Sequence, residues 1–218
     1  MTVASCGLAS ASLVLALGFA AAAAQAPGAR PVPVILETEK GAIEIEVDVA
    51  RAPTTAANFL KYVDGGHYNG GEFHRTVRPD TESRTDYPIQ VIQARRARGA
   101  DRPPGFPPIP IERTSVTGLR HVAGAVSMAR SGPDTATNEF FICLVDLPEL
   151  DFGGKRNADG QGFAAFGRVV RGMDAVKAIQ LSPVAPAVGR GGAAPPLANS
   201  QNLQPTVKIL RAVRRSAQ

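Results

Sequence analysis

The sequence predicts a mainly β chain, a closed eight-stranded antiparallel barrel capped by two helices. Three observations lead there. First, 22 Gly and 18 Pro are spread through 218 residues, the punctuation of short strands joined by turns. Second, eight segments carry strand patterning and only two carry helical spacing, one early and one late. Third, an open sheet of that size would expose its edges, and closure removes them. With 44% hydrophobic and 20% charged residues, the chain suits one domain with a sizeable core, plus tails.

In chain order, residues 1–26 contain no charged side chain, and Leu8 to Ala24 is an apolar, alanine-rich run. It reads as a secretory signal peptide. The run is marginal for a span of ~20 residues, and alanines insert weakly compared with leucines. Cleavage after Ala24 or Ala26 is therefore expected over anchoring. The mature protein is expected in the periplasm or outside the cell, as a monomer without stable membrane insertion. Residues 27–32 are a linker, 33–213 the folded domain and 214–218 a tail.

Within the domain, Val34 to Glu39 and Ala42 to Val47 form a hairpin around Lys40-Gly41. Ile43, Ile45 and Val47 alternate there with Glu44, Glu46 and Asp48, so one face is buried. Pro53 opens a helix in which Ala56, Phe59, Leu60 and Val63 share a face until Gly65-Gly66 stops it. Strands follow at Phe73 to Val77, Ile89 to Gln93, Ala125 to Ala129, Phe140 to Val145 and Phe163 to Val169. The second helix, Gly172 to Leu181, carries Met173, Val176 and Ile179 on its apolar stripe and ends before Pro183. Residues 183–201, rich in Pro, Gly and Ala, read as a flexible loop. Thr206 to Val213 alternates as the last strand.

Several chemistries are excluded. Cys143 is the one cysteine beyond the signal, so no internal disulfide forms, and its apolar context makes it an inert buried thiol. His67, His74 and His121 lack any metal-ligand spacing. No metal or other cofactor is expected. Asp151-Phe152-Gly153 lacks the glycine loop and lysine strand that would make it a kinase magnesium triplet. No Gly-x-Ser-x-Gly elbow is present. The net charge of +5 gathers at Arg95, Arg96, Arg98 and Arg102 and at Arg211, Arg214 and Arg215. No aromatics interleave with these arginines, as a stacking platform for nucleic acid requires, so no nucleic-acid partner is expected.

What remains is Arg75, Gln93, Arg130 and Asn138 set among apolar strands. Phe73-His74-Arg75, Val91-Ile92-Gln93, Ser127-Met128-Ala129-Arg130-Ser131-Gly132-Pro133 with Asn138-Glu139-Phe140-Phe141-Ile142, and Phe163-Ala164-Ala165-Phe166-Gly167-Arg168-Val169 succeed one another. In that order they resemble the signatures of the cyclophilins, peptidyl-prolyl cis-trans isomerases, over roughly residues 33 to 213. The arginine after Met-Ala and the Phe-Ala-Ala-Phe-Gly segment resemble the bacterial exported branch.

The resemblance implies the barrel reached above, a cofactor-free isomerase, and proline-containing client polypeptides as partners. It makes Arg75 the catalytic residue held over the substrate proline. His74 lines the same face beside Phe73. It implies an apolar pocket of Val91, Met128, Phe141, Leu150 and Phe163, with Gln93 and the Ala129-Arg130 backbone holding the peptide.

The chain also departs from the family pattern. The turn after Arg75 lengthens to Thr76–Pro88. Gln90 and Val91 replace an aromatic and a methionine, which is expected to remove part of the pocket wall, and a catalytically weak proline-binding module stands as the alternative. Glu149 stands where some members carry tryptophan, and Glu139 replaces a glutamine. The basic segment Arg95 to Pro110 is expected to border the groove and favour acidic clients.

Overall fold

The computed structural model describes residues 29–186 and 199–215, together with Met1. The signal peptide, its cleavage sites and most of the proposed 183–201 loop fall outside the described residues.

Strand β1 (Val32–Thr38) and strand β2 (Gly41–Val47) pair in the expected hairpin. Helix α1 (Pro53–Asp64) follows. Pro53 at its first position is favourable because the missing N–H would have no helical partner. The first turn has no acid of its own. Glu112 supplies the carboxylate from across the fold, accepting from Thr54 N at 3.0 Å and Thr55 N at 2.7 Å.

Next come β3 (Glu72–Val77), β4 (Val91–Arg95), the four-residue helix α2 (Thr114–Thr117), β5 (Ala125–Met128) and β6 (Phe140–Cys143). After them run β7 (Ala164–Arg171), α3 (Met173–Gln180), β8 (Val184–Pro186) and β9 (Asn199–Arg214). Gly172 caps α3 at φ +89°, and any Cβ there would strike the Ala42 carbonyl. Only glycine fits.

The sheet runs β1-β2-β7-β5-β6-β4-β3-β9, and β9 pairs back onto β1. Eight antiparallel strands thus close into a barrel, as the patterning predicts. The segment expected to be loop over 183–201 differs in part. Val184–Pro186 forms β8 and pairs with the extended start of β9, Val184 opposite Leu203. Val184 packs against the core and Gln204 N donates to Pro183 O. Loop composition masked a strand too short to show alternation.

The barrel interior is aromatic. Phe59 of α1 meets Phe166 at 4.9 Å and the edge of Phe140 at 5.4 Å between ring centroids, closing one end of the barrel. Among the described residues no helix is long and apolar enough to cross a membrane.

Glu72 clips three strands together. It accepts from Arg95 Nη2 at 2.7 Å on β4, and from Lys208 Nζ at 2.6 Å and Thr206 Oγ1 at 2.9 Å on β9. Burial works to raise its pKa, but the bonds from Lys208, Arg95 and Thr206 outweigh it and hold the carboxyl at about 2. The folded pKa lies below the unfolded one, so this stabilisation is complete above about pH 4.3 and is lost as pH falls toward 2. In acid unfolding followed by circular dichroism, Glu72→Gln is expected to be less stable than the parent at neutral pH. The gap should close as pH falls through that window. A gap that stays constant down to pH ~2 would contradict the assignment.

Candidate active site

Strands β4, β5 and β6 are covered on both faces, and alternation decides which side chain goes where. Ile92, Ala94, Val126, Met128, Phe140 and Ile142 point into the barrel. Val91, Ala125, Phe141 and Cys143 point outward and form a second apolar cluster with Val77, Ile89, Leu147 and Leu150. Ala129 and Phe163 pack against it.

On β3 the alternation breaks. The register shifts between Phe73 and Arg75 against both neighbouring strands. A β-bulge of this kind re-aims the side chains that follow it. Phe73 therefore stays fully buried in the barrel core, whereas Arg75 faces out toward the second cluster.

A cavity of about 370 Å³ opens over that outer cluster. Arg75, Val91, Gln93, Ala129, Arg130, Phe141, Leu150 and Phe163 line it, brought together from every segment that carried the family signatures. Phe73 and Met128 do not. Both are core residues on the inner face, where strand parity sends the expected Met128 wall. His74, also expected on this face, does not line the cavity either: it lies on the bulge, half-buried, with Nε2 3.8 Å from Glu139 Oε2. Burial, the largest cause, holds its pKa below the ordinary histidine value, with Arg95 and Arg75 acting in the same sense.

Arg75 is fixed from two sides. Its Nε and Nη2 donate to Gln201 Oε1 at 2.9 and 2.6 Å, and its Nη1 donates to Gln93 Oε1 at 2.8 Å. The glutamines are held in turn. Gln93 Nε2 donates to Glu139 Oε2 at 2.7 Å, and Gln201 Nε2 donates to Thr81 O at 3.1 Å. Burial, then the Arg156 charge, pulls the Arg75 pKa down from the usual arginine value. A guanidinium remains a cation in proteins even so. Gln201 comes from the start of β9, inside the segment expected to be loop, and the sequence motifs contain no sign of it.

The aromatic walls are locked as well. Gly162 takes φ +64°, with space for no side chain beside Asp151 O at 2.6 Å, so the chain can turn and aim Phe163. Arg130 is only 4% exposed along its side chain. It donates to Gly162 O at 2.8 Å and makes a two-pronged pair with Asp159 at 2.7 and 2.9 Å. Its guanidinium carbon lies 5.1 Å from the Phe163 ring centroid. The rings of Phe141 and Phe163 meet edge to face at 5.3 Å.

Behind Phe141 lies an arrangement that the sequence motifs do not announce. Asp151 Oδ1 sits 2.8 Å from His121 Nδ1, and His121 Nε2 sits 2.9 Å from Ser127 Oγ. The order of groups is that of a serine hydrolase triad. Ser127 is fully buried and His121 is 1% exposed, so no substrate reaches the hydroxyl, and the trio serves as a brace. The His121 ring stacks on Phe141 at 5.9 Å.

Of Gln90 and Val91, the pair expected to open the wall, Gln90 turns away and accepts from Gln180 Nε2 of α3 at 3.4 Å. Ile89 and Val91, on either side, line the cavity instead. The arginines of 95–102 also differ from expectation, since none of the four lines the cavity. Their segment is tied back over α1, where Phe106 packs on Tyr62 at 4.8 Å and His67 at 5.1 Å, and Lys61 lies 4.6 Å from its ring. Arg95 pairs with Glu72, and Arg98 lies 3.7 Å from Glu139. Asn138 lines an adjoining pocket of about 260 Å³ that shares Gln93, Ala129 and Arg130. Burial pushes the Cys143 thiol far above its ordinary pKa, which makes it inert. Among the described residues no group of three or more His, Cys, Asp or Glu is placed to hold a metal ion.

Comparison with known proteins agrees with this geometry. A family model described as cyclophilin type peptidyl-prolyl cis-trans isomerase/CLD matches residues 33–212. Peptidyl-prolyl cis-trans isomerase A of Dickeya dadantii is 35% identical over 157 residues, covering 70% of this chain and 75% of the relative. Peptidyl-prolyl cis-trans isomerase B of Escherichia coli is 34% identical over 164 residues, covering 73% and 88%. A crystal structure of a cyclophilin type isomerase from Cryptosporidium parvum superposes with a TM-score of 0.62 at 18% identity, covering 86% of this chain and 99% of that one. The same parasite protein has been solved in the presence of the dipeptide Ala-Pro. Barrel closure, ordered signatures and relatives converge, and the chain belongs to the cyclophilin-type peptidyl-prolyl cis-trans isomerase family.

Proposed function

We propose that the chain rotates X-Pro bonds of exported client polypeptides at the cavity beside Arg75, using that guanidinium and no cofactor. Twisting a prolyl amide breaks its resonance, against a barrier of ~18–20 kcal/mol. At the twisted geometry the proline nitrogen regains a lone pair. A donor fixed at that point binds the twisted state more strongly than either planar isomer, which is what lowers the barrier.

The observation that carries this reading is the clamp on Arg75. Gln93 and Gln201 take three of its five N–H groups and hold the plane beside the apolar wall that Val91, Phe141, Leu150 and Phe163 give the cavity. Two N–H groups remain for substrate among the described residues. Turnover rather than passive binding is supported by Ile89 and Val91, which keep the wall that Gln90 leaves. The test is the cis-to-trans rate of a short X-Pro peptide with and without the protein. Acceleration in proportion to enzyme concentration is expected, against an uncatalysed time of tens to hundreds of seconds. Peptide binding without acceleration would leave only a proline-binding module.

Export is supported by the uncharged first 26 residues and the Leu8 to Ala24 run. Fractionation of expressing cells with N-terminal sequencing decides it. Cytoplasmic protein with an intact N-terminus would overturn that part.

A further inference from the structure

We propose that the Thr76–Pro88 insertion makes this cavity select an acidic residue next to the substrate proline, with Arg84 and Arg156 as the specificity-determining residues. The inference rests on the isomerase reading only in taking the cavity as the place where proline sits. Four arginines, at 75, 84, 130 and 156, line the cavity, and no carboxylate does. Arg75 is clamped by glutamines, and Arg130 is held by Gly162 O and a two-pronged pair with Asp159. Arg84 and Arg156 form the remaining polar wall, with Asn157 beside them.

That wall is built rather than draped. Glu82, 4% exposed along its side chain, accepts from Arg84 N at 3.0 Å and Ile89 N at 3.1 Å, and pairs with Arg156 Nη1 at 2.9 Å. Arg156 Nη1 also donates to Tyr87 O at 2.9 Å, and Arg84 Nη1 donates to Arg156 O at 2.7 Å. The insertion and the 151–162 loop are thereby laced into one surface. Glu82 itself lines not this cavity but a neighbouring one that shares Arg84 and Ile89 with it, and its carboxylate fixes the wall through these bonds.

Donors remain on Arg156, and those of Arg84 are held by an exchangeable partner. Among the described residues Arg156 makes no hydrogen bond through Nε or Nη2. Arg84 is paired with Asp86, whose side chain is 60% exposed. An exposed pair of this kind is weak and exchangeable. A substrate carboxylate would meet planar donor forks suited to it, whereas a lysine would meet a lining with four arginines and no carboxylate. Selection thus works through attraction and repulsion together.

The test compares labelled tetrapeptides with Glu, Ala or Lys immediately before or immediately after proline, with binding read by fluorescence anisotropy at low ionic strength. At one of the two positions Glu is expected to bind about tenfold tighter than Lys. The ratio should shrink in high salt and fall to about twofold or less in Arg84→Gln. Arg156→Gln should also lose it, with circular dichroism checking the fold because Arg156 supports Glu82. Equal binding of Glu and Lys at both positions would overturn the inference, as would a preference that survives Arg84→Gln. Binding is read apart from turnover. A protein that prefers Glu peptides yet accelerates none of them would sink the isomerase reading and leave this selectivity standing.

Discussion

Replacing Arg75 with alanine is expected to lower kcat/KM for X-Pro isomerisation about tenfold to a hundredfold while the barrel remains folded. The size follows from one charge-assisted hydrogen bond made at the twisted amide, worth ~1.5–3 kcal/mol. The fold tolerates the change because each partner of Arg75 has a second anchor: Gln93 on Glu139, and Gln201 on the Thr81 carbonyl. Arg75→Lys keeps the charge but cannot span both glutamines from one rigid plane, so it should recover only part of the rate. Peptide affinity should change less than the rate, because the apolar wall of Val91, Phe141, Leu150 and Phe163 is untouched.

The pH profile supplies an independent check. Arg75 cannot lose its proton, and burial holds His74 below the ordinary histidine pKa. The rate is therefore expected to be flat across the neutral and mildly alkaline range. A rise through one titration step there, abolished in His74→Gln, would make His74 an acid or base and would contradict the arginine mechanism.

The barrel was legible because each strand has one face that must be dry, and alternation records it, as at Ile43, Ile45 and Val47 against their glutamates. Arg75, Gln93 and Phe141 were legible through motifs in which short neighbours in sequence share one surface. Phe73 and Met128 were not separable from them by motif alone. Met128 stands between outward-facing Ser127 and Ala129, and strict parity from Val126 would have sent it inward. Phe73 required knowledge of the bulge, which is a matter of pairing between strands. Gln201, Arg84 and Arg156 lie in or against segments read as loop or turn, and loops carry no periodicity to read. Arg84 and Arg156 meet across 72 positions of chain, a contact that only tertiary folding creates. The basic segment after Arg95 misled for a related reason. Its arginines set its charge, but the packing of Phe106 on Tyr62 of α1 sets its place.

Asp151→Ala is expected to destabilise the protein by about 3 kcal/mol, because two buried donors lose their acceptor. Asp151 Oδ1 receives the His121 backbone N–H at 3.1 Å and faces the ring Nδ1 at 2.8 Å, with the carboxylate side chain only 6% exposed. For a domain of this size that loss lowers Tm by roughly 6–12 °C. Asp151→Asn should cost less, since an amide oxygen can still accept one of the two bonds. Burial works to raise the Asp151 pKa, but the His121 contacts and Arg120 outweigh it and hold the carboxyl below its usual value. Its contribution is then complete above about pH 3.9 and fades as pH falls through the lower folded value, so Asp151→Ala should lose its disadvantage in acid. The brace also reaches the site. His121 stacks on Phe141 and faces the edge of Phe163 at 6.4 Å, so loosening it should raise KM for X-Pro peptides well below Tm. A catalytic triad predicts something different: Ser127 would be labelled by a serine-directed phosphonate, and Asp151→Ala would abolish that labelling with little change in Tm. Ser127 has no exposed surface, so the expected result is no labelling and a large thermal shift.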